Sequence, residues 1–423
     1  MKHITLVTSL ALAIFVGTLL NHTPVQADDA LVPVYLGTYT GGQDGAKGIY
    51  LTRLNPQDGS LTEPQLVAEV SNPAFLAKHP ALPRLYAVTE QGRSATSATT
   101  GDGSPVHAFA IDPSTFALTK LNEQSVPAFG ACHLGVFLLP EKVTMVASGP
   151  QTIHEQQYAV VVAYYNDGAV ASLPLSDNGE LKPWVAIQKH TGSGPTSRQT
   201  KAFAHAVYFW NIRAQFFSPS IVVPDLGADK LFLYQLLPDG RLAPQTGNWS
   251  FEPVTQPGSG PRHAALSESA RTAFILNELS STICVLPFPR ADVILAHAVP
   301  AHITQTISTL PEGTSTENNT TAEIFMHPNG RFLYASNRGH DSIALFHFDP
   351  TMQQLKFIET TPCGGKHPRS FDLSPDGKWL IVAAMQDDLV TTFRIDPDTG
   401  RMTPTGHSIS VKQPACVLPV IFQ

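Results

Sequence analysis

The chain has 423 residues, with 27 Lys and Arg against 34 Asp and Glu and a formal charge of −7 at pH 7. That acidic balance argues against a nucleic-acid or anionic-membrane partner, either of which calls for a basic surface. The cysteines Cys132, Cys284, Cys363 and Cys416 are scattered with no CxxC pair, which removes metal-ligand spacing and leaves disulfides and buried thiols both open.

The chain begins with a segment that reads as a leader. Lys2 and His3 form a short basic region, Ile4 to Leu20 is apolar, and Val25-Gln26-Ala27 fits a small-residue cleavage site before Asp28-Asp29. The expectation is a cleaved signal peptide over residues 1–27 and an exported product, periplasmic or secreted; an uncleaved anchor is the competing reading. Residues 1–27 carry one Lys and no acid, so the mature chain would have a charge of −8. It contains no second apolar stretch of spanning length, so no membrane attachment is expected after cleavage.

Strand signals follow at Val34 to Thr38 and Ile49 to Leu54. A strand, an Asp/Asn-Pro or Asp-Gly turn and a further short strand then recur. This pattern occurs at Gly48 to Leu61, Val106 to Leu118, Ala169 to Leu181, Lys230 to Leu242, Ser281 to Arg290, Ser342 to Leu355 and Leu389 to Met402. Inner halves of the same unit recur at Phe75 to Glu90, Tyr158 to Tyr165, Ile221 to Asp225 and Ala264 to Glu278. The fullest unit is Ala322 to Pro350, with strands at Ala322 to Met326, Phe332 to Ser336 and Ser342 to Phe348. Its turns are Pro328-Asn329-Gly330 and Asn337-Arg338-Gly339. A second copy, Arg369 to Pro397, repeats the Pro-x-Gly turn and the Asp-Pro ending 47 residues after their counterparts.

A period near 50 residues with several strands per repeat predicts an all-β chain, a seven-bladed β-propeller of four-stranded antiparallel blades in one domain over 28–423. The first strands lack an inner partner, and the C-terminal Pro414 to Phe422 is a strand without a blade. Together they would close the ring and remove its open edge. Thr96 to Ser104, Pro140 to Gln157, His190 to Lys201 and Ala291 to Asn319 read as loops.

Polar groups that are not turn formers gather at the start of inner strands and after second strands: His79, Glu90, His133, His205, Arg262, His263, Glu278, Arg338, His367 and Arg369. Equivalent positions of successive blades lie around one end of a central channel, so these would form a small-anion site. Arg262 and Glu278, 16 residues apart across one hairpin, should be neighbours. Structural roles compete with this reading, because a guanidinium with five donors also bridges blades and a histidine also fills a core.

The chain resembles the seven-bladed propeller lactonase family, which includes 6-phosphogluconolactonases and is related to carboxymuconate lactonizing enzymes. The resemblance is carried by YLGTYTGG at Tyr35 to Gly42, NPAFLAKHP at Asn72 to Pro80, GACHL at Gly130 to Leu134, DLGADKLFLY at Asp225 to Tyr234, the stretch Gly260 to Leu279, Glu323 to Phe346, and GKHPRSFDLSPDGKWL at Gly365 to Leu380. It implies a sugar-lactone hydrolase in which Glu278 is the base and Arg262 and Arg338 bind an anion or the oxyanion. His205 and His263 would join the catalytic set, and His79, His133, His367 and Arg369 would bind substrate or shape the channel wall. No cofactor is implied, since GxGxxG, P-loop and HExxH patterns are missing, and a monomer is expected.

One departure stands out. Where the family has Pro-His-Ala-His, this chain reads Ala202-Phe203-Ala204-His205, and a phenyl ring cannot transfer a proton. The alternative readings are a muconate-type cycloisomerase, implied by the related lactonizing branch, and a non-catalytic binding propeller, favoured by Phe203.

Overall fold

The computed structural model describes residues 30–41, 45–92, 103–146, 149–153, 156–210, 220–244, 256–288 and 302–422. Residues 1–29, which include the proposed leader, lie outside these, as do 96–102, 211–215 and 291–300. Among the described residues no helix is long and apolar enough to cross a membrane.

Seven four-stranded antiparallel sheets form the ring, each sheet a blade. Blade 1 is built from Leu76–Lys78, Arg84–Val88, Pro105–Ile111 and Leu118–Ser125, and blade 2 from Ala131–Leu138, Tyr158–Tyr164, Ala169–Pro174 and Ala186–Lys189. Blade 3 comprises Tyr208–Trp210, Ser220–Asp225, Lys230–Leu236 and Leu242–Pro244; blade 4 comprises Pro261–Ser267, Thr272–Asn277, Thr282–Pro287 and Gln305–Ser308. Blade 5 follows with Thr320–Met326, Phe332–Arg338, Ser342–Asp349 and Gln354–Pro362, and blade 6 with Pro368–Leu373, Trp379–Ala384, Leu389–Ile395 and Met402–Ser410. In blade 7 the C-terminal Pro414–Pro419 is the innermost strand and pairs with Val32–Thr38, which continues to Gly48–Leu54 and Gln65–Glu69. The ring closes from both chain ends, as the unpaired terminal strands predict.

Two of the expected loops contain strands. Within Pro140 to Gln157, Lys142–Val146 pairs with Gly149–Ile153 as an added hairpin, and within Ala291 to Asn319, Gln305–Ser308 is the outer strand of blade 4. The outer strand alternates half-buried and exposed positions, so it lacks the dense apolar pattern that marks the inner ones. All four cysteines are buried and free.

Second strands are almost wholly apolar because both faces of each blade are covered by neighbours; Thr272–Asn277 and Trp379–Ala384 are buried throughout. Closure is apolar as well, with Val34 and Leu36 of blade 7 packed with Trp379 and Ile381 of blade 6. A tyrosine in the second strand of three blades adds a polar tie to the next blade. Tyr35 donates to Phe116 O at 2.7 Å, Tyr86 to Gly179 O at 2.8 Å and Tyr334 to Gly400 O at 2.8 Å. The receiving turn needs glycine at position 400, where φ is +72° and a Cβ would lie 2.6 Å from the Phe332 ring.

Candidate functional site

The antiparallel order of a blade fixes which residues meet. First strands start at one end of the ring and second strands return to it, so positions just before the former and just after the latter converge. Glu90, Tyr165 and Glu278 follow second strands by one or two residues, Arg338 ends one, and Tyr39 follows Val32–Thr38 in blade 7.

The first strands supply the rest through a repeated irregularity. In blades 2, 4 and 6 the pairing slips by one residue at the strand start, leaving Cys132, Arg262 and Arg369 as the extra, unpaired residues. A bulge of this kind bends the strand and re-aims a side chain, here toward the channel mouth. Both arginines follow a proline, Pro261 and Pro368, which has no amide to offer the ladder.

These groups line a cavity of about 160 Å³, below the range usual for drug-sized ligands and suited to a small metabolite. Its walls include Arg198, Arg262, Arg338 and Arg369 against the carboxylates of Glu90 and Glu278. Four guanidinium groups facing two carboxylates leave two unbalanced positive charges, in a protein whose overall charge is −7.

Glu278 is the hub. Its Oε2 accepts from Arg262 Nη1 at 2.8 Å and lies 3.2 Å from Arg338 Nη2, while Oε1 accepts from Arg198 Nη2 at 3.0 Å. Burial alone would raise the carboxyl, but Arg338 and Arg262, with Arg198 adding to them, hold its pKa well below the usual carboxylate range. Glu278 is therefore ionised at neutral pH. Burial pushes Arg338 down to about 10, which still leaves it charged.

Arg262 is fixed from behind by its Nε donating to Ala322 O at 2.8 Å, and Arg338 by Nη2 donating to Thr321 O at 2.7 Å. His205 Nε2 accepts from Arg262 Nη1 and lies 3.8 Å from Glu278 Oε2. That bond assigns the ring proton to Nδ1. Burial and the nearby Arg262 charge depress the His205 pKa far below 6.5, so the ring is neutral. On the opposite wall Glu90 Oε2 accepts from Tyr39 Oη at 2.5 Å and lies 3.2 Å from Arg369 Nη2, and Arg369 stacks 4.9 Å over the Tyr39 ring.

The structure thus brings together Glu278, Arg262, Arg338, Arg369, Glu90 and His205. His263 and His133 lie one layer beneath, in the channel. His263 pairs through Nδ1 with Glu323 Oε1 at 2.6 Å, and His133 accepts the Val207 amide at 3.4 Å and stacks on Phe75 at 4.0 Å. His367 sits at the rim, half-buried, its amide held by Asp341 Oδ1 at 2.8 Å and its Nδ1 by Gln386 at 3.3 Å. Burial, then the Arg338 charge, lowers its pKa to about 4.

His79 is elsewhere. It sits in the turn after Leu76–Lys78, at the far end of the ring, where Nδ1 accepts the amides of Ala81 and Leu82 at 3.0 Å each. Phe203 is beside the cavity, stacked on Tyr165 at 4.7 Å, and its amide donates to Asp225 Oδ1 at 2.7 Å.

Tyr39, Tyr165, Cys132 and Arg198 were not singled out by sequence reasoning. The two tyrosines occupy the same post-strand position as Glu90 and Glu278, so superposing the repeats would have exposed them; Arg198 lies on an inter-blade connection and has no repeat signal. Among the described residues no group of three or more His, Cys, Asp or Glu side chains is placed to hold a metal ion.

Known proteins resemble this chain over nearly its whole length. The chain is 32% identical over 387 residues to the 6-phosphogluconolactonase of Bacillus subtilis strain 168, covering 90% of this chain and 97% of the relative. The crystal structure of a putative 6-phosphogluconolactonase from Bacteroides fragilis superposes with a TM-score of 0.75 at 26% identity, covering 93% of this chain and 99% of that one. The periplasmic gluconolactonase of Pseudomonas aeruginosa superposes with a TM-score of 0.73 at 27% identity, over 93% and 99% of the two chains. A family model described as "Lactonase, 7-bladed beta-propeller" matches residues 33–419, and the chain belongs to that family.

Proposed function

We propose that the protein hydrolyses a sugar-derived lactone, either 6-phosphogluconolactone or gluconolactone, at the arginine-rich cavity. The observation that carries this reading is Glu278, a buried carboxylate kept ionised between Arg262 and Arg338 in a cavity with surplus positive charge. Lactone opening needs a base for water and donors for the oxyanion formed at the carbonyl. Glu278 takes a proton from water as the water oxygen bonds to the carbonyl carbon, and the oxyanion faces the Arg262 and Arg338 guanidinium groups. As the ring C–O bond breaks, Glu278 returns the proton to the departing ring oxygen, giving the hydroxy acid. His205, neutral and bonded to Arg262, positions that guanidinium rather than acting as the base, because its Nε2 lone pair is already used.

The names of the relatives support this substrate class, and the periplasmic neighbour supports export. The protein acts on a small molecule without a nucleic-acid or membrane partner. The mature chain should accelerate acid release from 6-phosphogluconolactone or glucono-δ-lactone above the spontaneous rate. Wild type matching the buffer blank on both would defeat the proposal. Export is tested separately, by N-terminal sequencing of the protein recovered from the periplasm or medium, which should begin near Asp28.

A further inference from the structure

The connection between blades 2 and 3, residues 190–207, is built without any help from its one arginine. His190 Nδ1 pairs with Asp225 Oδ2 at 2.7 Å, both side chains fully buried, and Asp225 Oδ1 accepts the amides of Phe203 and Ala228 at 2.7 and 2.9 Å. Gln199, fully buried, donates from Nε2 to Leu226 O at 2.9 Å, and its Oε1 accepts from the Thr196 hydroxyl at 3.1 Å. Gly194 closes the turn by donating to Gln199 O at 3.0 Å. These bonds hold the backbone on either side of Arg198 and leave its side chain free of structural duty.

That side chain reaches into the cavity instead, where its partners are Glu278 Oε1 at 3.0 Å and the Tyr165 hydroxyl at 3.3 Å. Both are cavity-lining groups. The Arg198 side chain is 51% exposed, against 5% for Arg262 and 7% for Arg338, the other two guanidinium groups on the same carboxylate. A half-exposed pair on a long side chain adds little net stability. The two buried arginines already neutralise Glu278, so the outer one is surplus to holding that carboxylate and can be exchanged.

We infer that Arg198 is a specificity-determining residue that leaves Glu278 for an anionic substituent of the incoming lactone, such as a phosphate. This deepens the hydrolase reading and rests on its assignment of Glu278 as base. A guanidinium binds phosphate or carboxylate through two parallel donors, which a single Glu278 oxygen does not fully use. Its departure removes one of three positive neighbours from Glu278 and raises the basicity of the freed carboxylate. Recognition of the anionic group and activation of the base are thereby the same movement. A neutral lactone leaves Arg198 in place and meets a weaker base.

The test compares wild type with Arg198→Ala and Arg198→Lys on 6-phosphogluconolactone and glucono-δ-lactone, with calorimetric binding of 6-phosphogluconate as a readout independent of turnover. Arg198→Ala should raise KM for the phosphorylated lactone about tenfold or more, since it removes a charge-assisted contact of two parallel hydrogen bonds, and weaken 6-phosphogluconate by the same factor. Its rate on the neutral lactone should rise, and the acid limb of that pH profile should move to higher pH as Glu278 loses a cation. Arg198→Lys should recover part of the phosphate affinity. Equal effects on the two lactones, or unchanged 6-phosphogluconate affinity, would overturn the inference. If wild type turns over neither lactone the hydrolase reading fails, and the 6-phosphogluconate comparison still decides the role of Arg198.

Discussion

The two ends of the ring use the same residue types for opposite purposes. At the far end, His79-Pro80 and His327-Pro328 follow first strands, and each imidazole is consumed by backbone. His79 accepts two amides, and His327 accepts Asn329 N–H at 3.1 Å through Nδ1 while its Nε2 meets Gly377 O at 2.9 Å. At the cavity end, His367-Pro368 precedes a first strand and stands beside Arg338 and Arg369. An identical dipeptide is a turn clamp in one place and a rim group in the other. What separates them is position along the strand, because antiparallel pairing sends strand starts and strand finishes of the inner pair to different ends.

The sharpest way to break this contrast is at the hub. Glu278→Gln keeps the shape, but it turns one acceptor oxygen into a donor facing a guanidinium and cannot accept a proton, and should lower kcat by about 10²- to 10⁴-fold; steady-state rates corrected for spontaneous hydrolysis will show it. Arg262→Lys should cost about 10²- to 10³-fold in kcat through the oxyanion contact, since a single ammonium cannot serve Glu278, His205 and Ala322 O together. Wild-type rates in either variant would move the chemistry away from this cavity.

Much of the ring was legible because its signals are periodic: Pro-Asp-Gly turns, alternating strands and unpaired terminal strands each follow from local chemistry. The meeting of Arg262 with Glu278 was legible from the spacing across one hairpin, whereas Arg338 comes from the next blade and was placed with them by its position after a second strand and by the family resemblance. Placing His79 with the substrate groups treated a residue at the end of a first strand as though it stood at the start, and the sequence Ala77-Lys78-His79-Pro80 has no local mark of direction. Bulges at Cys132, Arg262 and Arg369 depend on pairing with a neighbouring strand, a non-local fact. Arg198 depends on a connection folded by a buried Gln199 and a His190–Asp225 pair, and nothing periodic announces these.

A smaller effect should separate stability from catalysis. His79→Ala removes the acceptor for two amides at the far end and should lower unfolding stability by about 1–3 kcal/mol, measured by denaturant titration, with kcat and KM unchanged at temperatures where the variant is folded. A fall in kcat without a fall in stability would show that the two ends are functionally coupled.

The smallest effect on turnover is expected one layer below the cavity, at the His263–Glu323 pair. Burial raises Glu323 from 4.5 to about 8, so the folded protein keeps a proton there that the unfolded chain has already released at neutral pH. A carboxyl with a raised folded pKa contributes stability below the unfolded value and loses that contribution as pH rises toward the folded one. Glu323→Gln, uncharged at every pH, should therefore gain stability relative to wild type steadily from about pH 4.5 to about pH 8 and level off above. Asp372 is pushed up by burial and also by the Glu323 charge, so the substitution relaxes Asp372 in the same direction, and the difference between the two urea midpoints reads Glu323 together with that coupling. A constant difference across that range would mean that Glu323 is already ionised in the folded state beside a neutral His263, so that the Arg262 and Arg369 charges above it outweigh its burial.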